Sequence, residues 1–366
     1  MKPKKRVLKS GKVRWDARYR DHHGKEHQKS FSREKDAKQW VQDELRKIRK
    51  GEWADPKAGK ITVRELMELH RDRAERPNTK SVRNTISRGL GPLGEIPIKD
   101  VQQIDVQNWV DTLKNGREWA NGKPLKDSTI DMYISVMHGA FSYAVTAGMI
   151  SESPMKNFKT GRRVKKVQRA EIPTSADIDA LVKEARIVDA HRRDNRQLAR
   201  IIRIAADTGL RSGEICGLRR QDLDFERKEI HVVTQTDRVT GELGPLKTVN
   251  SSRVVPMTEV AERELKLQIQ DGPDRQDGML FESTRGGLLT SAHVGKQFRT
   301  VAKHAGLPYT FHSLRHYYVT RLLDSGVPVH VVASLVGHST ISITDIYSHV
   351  TGKAIVNVRG ILSRAG

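Results

Sequence analysis

Residues 205–215 read Ala205-Ala-Asp-Thr-Gly-Leu-Arg-Ser-Gly-Glu-Ile215. Gly209 and Gly213 bracket Arg211, so the chain can turn sharply there between two helices. An arginine at a helix start can present its guanidinium fork to a phosphate beside free backbone N–H groups. Glu214 stands where it can pair with that guanidinium or hold its neighbours. Taken alone, the stretch also reads as a surface arginine in a helix–turn–helix corner, so its meaning depends on what else the chain supplies.

Cleavage of a phosphodiester needs positive donors for the non-bridging oxygens, a nucleophile, and an acid for the departing oxygen. Downstream, Thr310-Phe-His-Ser-Leu-Arg-His316 places His312 and Arg315 three apart, on one face of a helix. They offer a second guanidinium fork and a proton carrier. His312 and His316 are four apart, a metal-ligand spacing, but Ser313 stands where the metalloprotease pattern wants glutamate, and no metal is expected. Gly337-His338-Ser-Thr340 follows a helix end, so His338 falls in a turn. Tyr347, in Thr344-Asp-Ile-Tyr-Ser-His349, is a candidate nucleophile, with Tyr309, Tyr317 and Tyr318 as rivals, of which at least one of the last two should pack in the core. Lys247 lies in or beside a hairpin, in Gly244-Pro-Leu-Lys-Thr-Val-Asn-Ser-Ser-Arg253.

Working outward, residues 173–352 form the largest unit. Helices are expected over 195–208, 258–270, 291–305, 313–325 and 328–336, the last with Pro328 as its first residue. Strands are expected at Ile230–Val233 and Arg253–Val255, with Thr248–Ser252 in the loop between them. Residues 157–172 have no helical stripe and read as a basic linker carrying Arg162, Arg163, Lys165 and Lys166. Residues 61–156 are all helical: Thr62-Val-Arg-Glu65 is a capping box, and further helices follow near 78–89, 105–114 and from Ser128, the longest, to Gly148.

Residues 1–56 hold a strand–helix unit. Val13, Trp15, Ala17 and Tyr19 alternate with Arg14, Asp16, Arg18 and Arg20, the period of a half-buried strand. Gln28–Phe31 pairs back, and Ser32 caps a helix with Ala37, Trp40, Val41, Leu45 and Ile48 on its apolar stripe. A basic strand–helix unit can dock in a DNA groove, and Arg14, Arg18, Arg20, Lys80 and Arg83 are the candidate contacts. The fold class is therefore multidomain, mainly α with small β elements. It combines a strand–helix unit, a helical bundle, a mixed α+β domain and a tail, 353–366, whose apolar residues can pack on a neighbouring protomer.

The composition agrees with a polyanionic partner. Lys and Arg number 66 against 44 Asp and Glu, a formal charge of +22, which repels itself unless a partner neutralises it. No run of about 18 apolar residues is present to span a bilayer, and the basic start has no apolar stretch behind it to make a secretory signal. With Cys216 the only cysteine, intrachain disulfides are excluded, and a reducing, cytoplasmic setting is expected.

Together, Thr208-Gly-Leu-Arg211-Ser-Gly-Glu214, Lys247, His312-Ser-Leu-Arg315-His316, Gly337-His338-Ser and Ile346-Tyr347-Ser-His-Val350, in that order, resemble the tyrosine recombinase (phage integrase) family. The resemblance covers about half the chain. More loosely, the units before it are similar in layout to arm-binding and core-binding domains of phage-type integrases. The resemblance implies that Tyr347 attacks the scissile phosphate to give a 3′-phosphotyrosyl bond, and that Arg211 and Arg315 clamp the non-bridging oxygens. It further implies Lys247 as general acid, His312 in acid–base support, His338 as a hydrogen-bond donor to the phosphate, and Glu214 as the supporting acid. No cofactor is implied. The partners implied are double-stranded attachment sites and a homotetramer on DNA at the nucleoid, with a bending or excision factor as a further candidate. A type IB topoisomerase and a catalytically silent DNA-binding regulator are the alternatives.

Overall fold

The computed structural model describes residues 2–22, 24–51, 53–158, 171–192, 197–238, 240–246 and 252–337. Arg162, Arg163, Lys165, Lys166, Lys247, His338, Tyr347 and the tail lie outside the described residues. The chain divides into two compact units, residues 1–162 and 163–366.

The first unit opens with a three-stranded antiparallel sheet of β1 (Lys4–Val7), β2 (Val13–Arg20) and β3 (Glu26–Phe31), in that order. The first strand was not foreseen, because Lys4-Lys-Arg-Val7 is exposed throughout and has no apolar alternation. Helix α1 (Glu34–Lys50) packs against β2, burying Ala17, Tyr19, Ala37, Val41 and Trp53. Trp53 Nε1 donates to the Tyr19 hydroxyl at 2.8 Å inside this cluster. Two expectations need correction. Arg33, not Ser32, is the N-cap of α1, without a side-chain cap bond. Leu45 is exposed while Glu44 is buried, ion-paired to Lys47 at 2.9 Å, so the buried stripe is rotated by one position.

A helical bundle follows, formed by α2 (Val63–Asp72), α3 (Pro77–Arg88), α4 (Gln103–Asn115) and α5 (Asp127–Thr146). The Thr62–Glu65 box is formed in both directions: Thr62 Oγ1 accepts the Glu65 N–H at 3.2 Å, and Glu65 Oε2 accepts the Thr62 N–H at 2.7 Å. Leu66, Met67, Val106, Trp109, Ile130, Met137 and Phe141 share one core, each large side chain contributing about 1.5–3 kcal/mol on burial. Leu69 of α2 is exposed.

In the second unit α6 (Ser175–Arg192) leads to α7 (Gln197–Thr208), whose residues other than Arg203 are all buried. Helix α7 is the central helix, packed against α6, α9 (Glu259–Asp271) and α11 (Phe311–Asp324). The short α8 (Ser212–Cys216) follows the turn at Gly209. One sheet holds β4 (Leu223–Asp224), β5 (Glu229–Val232) and β8 (Arg253–Pro256), with Val232 opposite Arg253. Between β5 and β8 runs a second ladder, β6 (Thr234–Thr236) with β7 (Leu243–Pro245), which turns back at 237–242. The expected pairing of arms near 230–233 and 253–255 is formed by β5 and β8, residues 248–251 lie outside the described residues, and what was not foreseen is the β6–β7 ladder in the connection. The sequence concealed this because Thr234-Gln-Thr236 and Leu243-Gly-Pro245 lack a strand's apolar alternation. Helices α10 (Ser291–His304) and α12 (Val329–Val336) complete the unit, with Pro328 as the extended N-cap of α12 and not its first helical residue. No described helix is long and apolar enough to cross a membrane.

Candidate active site

The site grows from three chain turns. Helix α7 ends at Thr208, and Gly209 follows with φ +65, a left-handed conformation that reverses the chain. A Cβ at Gly209 would lie 2.4 Å from Tyr318 Cδ1, so the turn is pressed directly against α11. Arg211 then stands at the N-cap of α8, where Glu214 Oε2 accepts its backbone N–H at 2.8 Å and Oε1 accepts Nη1 at 2.7 Å.

Helix α11 supplies the second set. Arg315 is only 2% exposed, and Nη1 donates to the Gly209 carbonyl at 2.8 Å while Nη2 donates to the Val336 carbonyl. His312 and His316, one turn apart, meet edge to face with ring centroids 4.7 Å apart. His312 lies at the rim, open to solvent on one side. Burial of its other faces pushes its pKa down to about 4, and His316, Arg315 and Arg211 act in the same direction. Burial also takes His316 to about 4, with the Glu171 charge opposing and Arg315 adding. Both imidazoles are therefore neutral at pH 7. Among the described residues no group of three His, Cys, Asp or Glu is arranged to hold a metal ion.

The third turn is Gly337, which ends α12 at φ +63. Its carbonyl accepts Arg211 Nη2 at 3.0 Å. The structure therefore brings Arg211, Glu214, His312 and Arg315 to one place, beside the residue that precedes His338 in the chain. It adds Arg253, which the sequence reading gave only as the first residue of a strand and assigned no role. Arg253 donates Nη1 and Nη2 to the two oxygens of Glu214, at 3.1 and 2.8 Å. Burial would raise the Glu214 pKa, but hydrogen bonding and charge from Arg253, and then the Arg211 charge, hold it below the usual carboxylate range.

Among the rival tyrosines, Tyr318 is buried against Gly209, as expected for one of the pair on α11. Tyr309 donates its hydroxyl to Asp177 Oδ2 at 3.1 Å, and the Tyr317 ring lies beneath the Arg321 guanidinium. The buried Cys216 thiol is pushed up to about 12 by desolvation, which leaves it inert as a nucleophile.

Of the candidate DNA contacts, Arg14, Arg18 and Arg20 line the exposed face of β2, and Arg18 pairs with Glu26 at 3.0 Å. Lys80 is exposed, 3.9 Å from Asp72. Arg83 is engaged inside the bundle, donating to the His70 carbonyl.

A phage integrase family model matches residues 173–353. A tyrosine recombinase XerC-like protein of Caldanaerobacter subterraneus is 32% identical over 289 residues, which cover 71% of this chain and 70% of that protein. The chain belongs to the tyrosine recombinase family. A tyrosine recombinase of Thermosipho africanus is 27% identical to this recombinase over 277 residues, 74% of the present chain and 88% of the relative. Among solved structures, the Tn1549 transposon integrase in complex with transposon right end DNA is 27% identical with a TM-score of 0.68, covering 83% of this recombinase and 99% of that chain. A lambda integrase dimer bound to a core site shares the fold at 18% identity and a TM-score of 0.55, over 96% and 95% of the two chains.

Proposed function

We propose that this recombinase cuts and rejoins double-stranded DNA at two specific sites, integrating or excising a mobile element. The observation that carries the reading is the convergence of Arg211 and Arg315 on consecutive carbonyls, Gly337 and Val336, at the point where the chain runs on to His338 and Tyr347. The Tyr347 oxygen attacks phosphorus, the bond to the 5′-oxygen breaks, and the 3′-phosphotyrosyl link forms. Lys247 gives its proton to the departing 5′-oxygen. Arg211 and Arg315 hold the non-bridging oxygens as charge builds, and His338 adds a hydrogen bond. His312, neutral at pH 7, serves as acceptor in acid–base support. In the reverse step the 5′-hydroxyl of a second strand attacks and releases the tyrosine, so bond energy is conserved without a nucleotide or a metal.

Upstream, residues 1–56 act as the arm-type unit and 61–156 as the core-binding domain, joined by the basic stretch 157–172 to the catalytic domain 173–352. Arg14, Arg18, Arg20 and Lys80, which face solvent, meet phosphates, and the linker residues Arg162, Arg163, Lys165 and Lys166 add further phosphate contacts. The related Tn1549 integrase structures hold circular intermediate DNA, and a lambda integrase structure is a tetramer bound to a Holliday junction. By analogy this recombinase assembles as four protomers on two duplexes, with residues 353–366 packing on a neighbour and an accessory factor setting direction.

The test uses nicked suicide duplexes tiled across the DNA that flanks the chain's own coding sequence. Wild type should form an adduct that survives denaturation and maps to Tyr347. Tyr347→Phe should bind the same DNA without forming it. An adduct in that variant would remove Tyr347 as the nucleophile.

A further inference from the structure

Helix α12 ends on three successive carbonyls, and each accepts from a different arginine. Arg253 Nε donates to Leu335 at 2.7 Å, Arg315 Nη2 to Val336, and Arg211 Nη2 to Gly337 at 3.0 Å. Arg211 and Arg315 belong to the phosphate clamp of the proposed function. Arg253 enters from the first position of β8, and its fork is taken by both oxygens of Glu214.

Exposure separates the roles. The Arg211 side chain is 36% exposed, and so can meet a ligand, whereas Arg253 and Glu214 are 5% and 2% exposed. A carboxylate sealed from water must keep its cationic partners, because losing one leaves an uncompensated buried charge. Arg211 holds both Glu214 oxygens from one side, through its backbone N–H and Nη1, and Arg253 bridges the same two oxygens from β8. Held from two sides, the carboxylate plane cannot swing when the exposed Arg211 guanidinium is pulled toward a ligand, and the Arg253 fork thereby keeps the direction of Arg211. The same guanidinium runs beneath Gly337: a Cβ there would lie 3.2 Å from Arg253 Nη1.

We propose that Arg253 is a positioning residue for strand cleavage: it ties the carboxylate that aims Arg211 to the end of α12, from which the chain continues to His338 and Tyr347. The inference rests on the reading of Arg211 as a phosphate clamp. The bond pattern sets it apart from a residue that only stabilises the fold, since all its donors described above go to groups that touch Arg211 or lead into the catalytic segment.

The test compares single-turnover cleavage of the suicide duplex with DNA affinity in the full-length protein, for wild type, R253Q, R253K, E214Q and the R253Q/E214Q double variant. R253Q should cleave about 10²-fold more slowly, the cost of one misplaced oxyanion donor, while its Kd for DNA stays within about threefold. R253K keeps a charge without the fork and should still lose about tenfold. In the E214Q background, R253Q should add less than about threefold, since coupled residues are not additive. Wild-type cleavage by folded R253Q, or effects that multiply in the double variant, would overturn the assignment. Should R253Q fail to fold, R253K decides by the same comparison, and a wild-type rate there overturns it. Failure of wild type itself to form an adduct on any tiled duplex would instead count against the recombinase reading.

Discussion

The Arg211 guanidinium donates to the carbonyl of Gly337 at 3.0 Å, across 126 positions of the chain. This cation is met by the negative end of a helix, where carbonyls lack intrahelical partners. The contact joins the turn that opens the proposed catalytic motif to the turn that leads into its last segment.

Arg211 and Arg315 should respond differently to loss of the guanidinium fork. R211K, at a site 36% exposed, should slow cleavage by about 10²–10³-fold with little change in unfolding midpoint. R315K, at a site 2% exposed, should slow cleavage similarly and also destabilise the protein by about 1–3 kcal/mol, because two buried carbonyls lose a charged donor. Urea unfolding alongside the cleavage assay checks both, and equal stability of the two variants would contradict the burial difference.

Gly209→Ala should destabilise the second unit. The new Cβ would meet Tyr318 at 2.4 Å in a left-handed backbone, so both strain and collision oppose it. A loss of at least about 1–3 kcal/mol is expected, read as a lower urea midpoint at constant m. Cleavage should fall too, since the Gly209 carbonyl anchors Arg315.

The neutral histidines set a pH dependence. His312 and His316 titrate near 4 when folded against an ordinary value of 6.5. Between those values the unfolded chain binds more protons, so stability is full above about 6.5 and falls as pH drops toward about 4. A urea series from about pH 7 to about pH 5, above the range in which ordinary carboxylates titrate, should show the decline, and a flat series would refute the neutral assignment. The acid limb of the cleavage profile should likewise lie near 4 and not near 6.5.

DNA binding should be strongly salt dependent. Neutralising ~6–10 phosphates costs about 10³–10⁵ in affinity between about 50 and about 200 mM salt. Replacing Arg14, Arg18 and Arg20 together by Gln should flatten the slope of log affinity against log salt by about 2–3, nearly one per lost contact. An unchanged slope would place the DNA elsewhere than on the open face of β2.

Near-neighbour physics made much of the chain readable in advance. The Thr62–Glu65 box, the alternation through Ala17 and Tyr19, the glycine ending α12 and the shared face of His312 and Arg315 all depend on residues within one or two turns of each other. Where a long-range partner decides, the reading slipped. The seating of α1 on β2 and β3 buries Glu44 and leaves Leu45 exposed, a rotation of the stripe that the helix's own spacing does not fix. The β6–β7 ladder pairs segments whose side chains carry no alternation.

By itself, the sequence determined the charge, the order of the proposed catalytic motif and the local elements that present its described part, since each is written in composition or short spacing. Only the tertiary structure decided that Arg253, read as no more than the first residue of a strand, closes on Glu214 at a separation of 39 positions and on Leu335 at 82. Such contacts arise when packed helices exclude water and buried charges must find one another, a condition no short stretch of residues encodes.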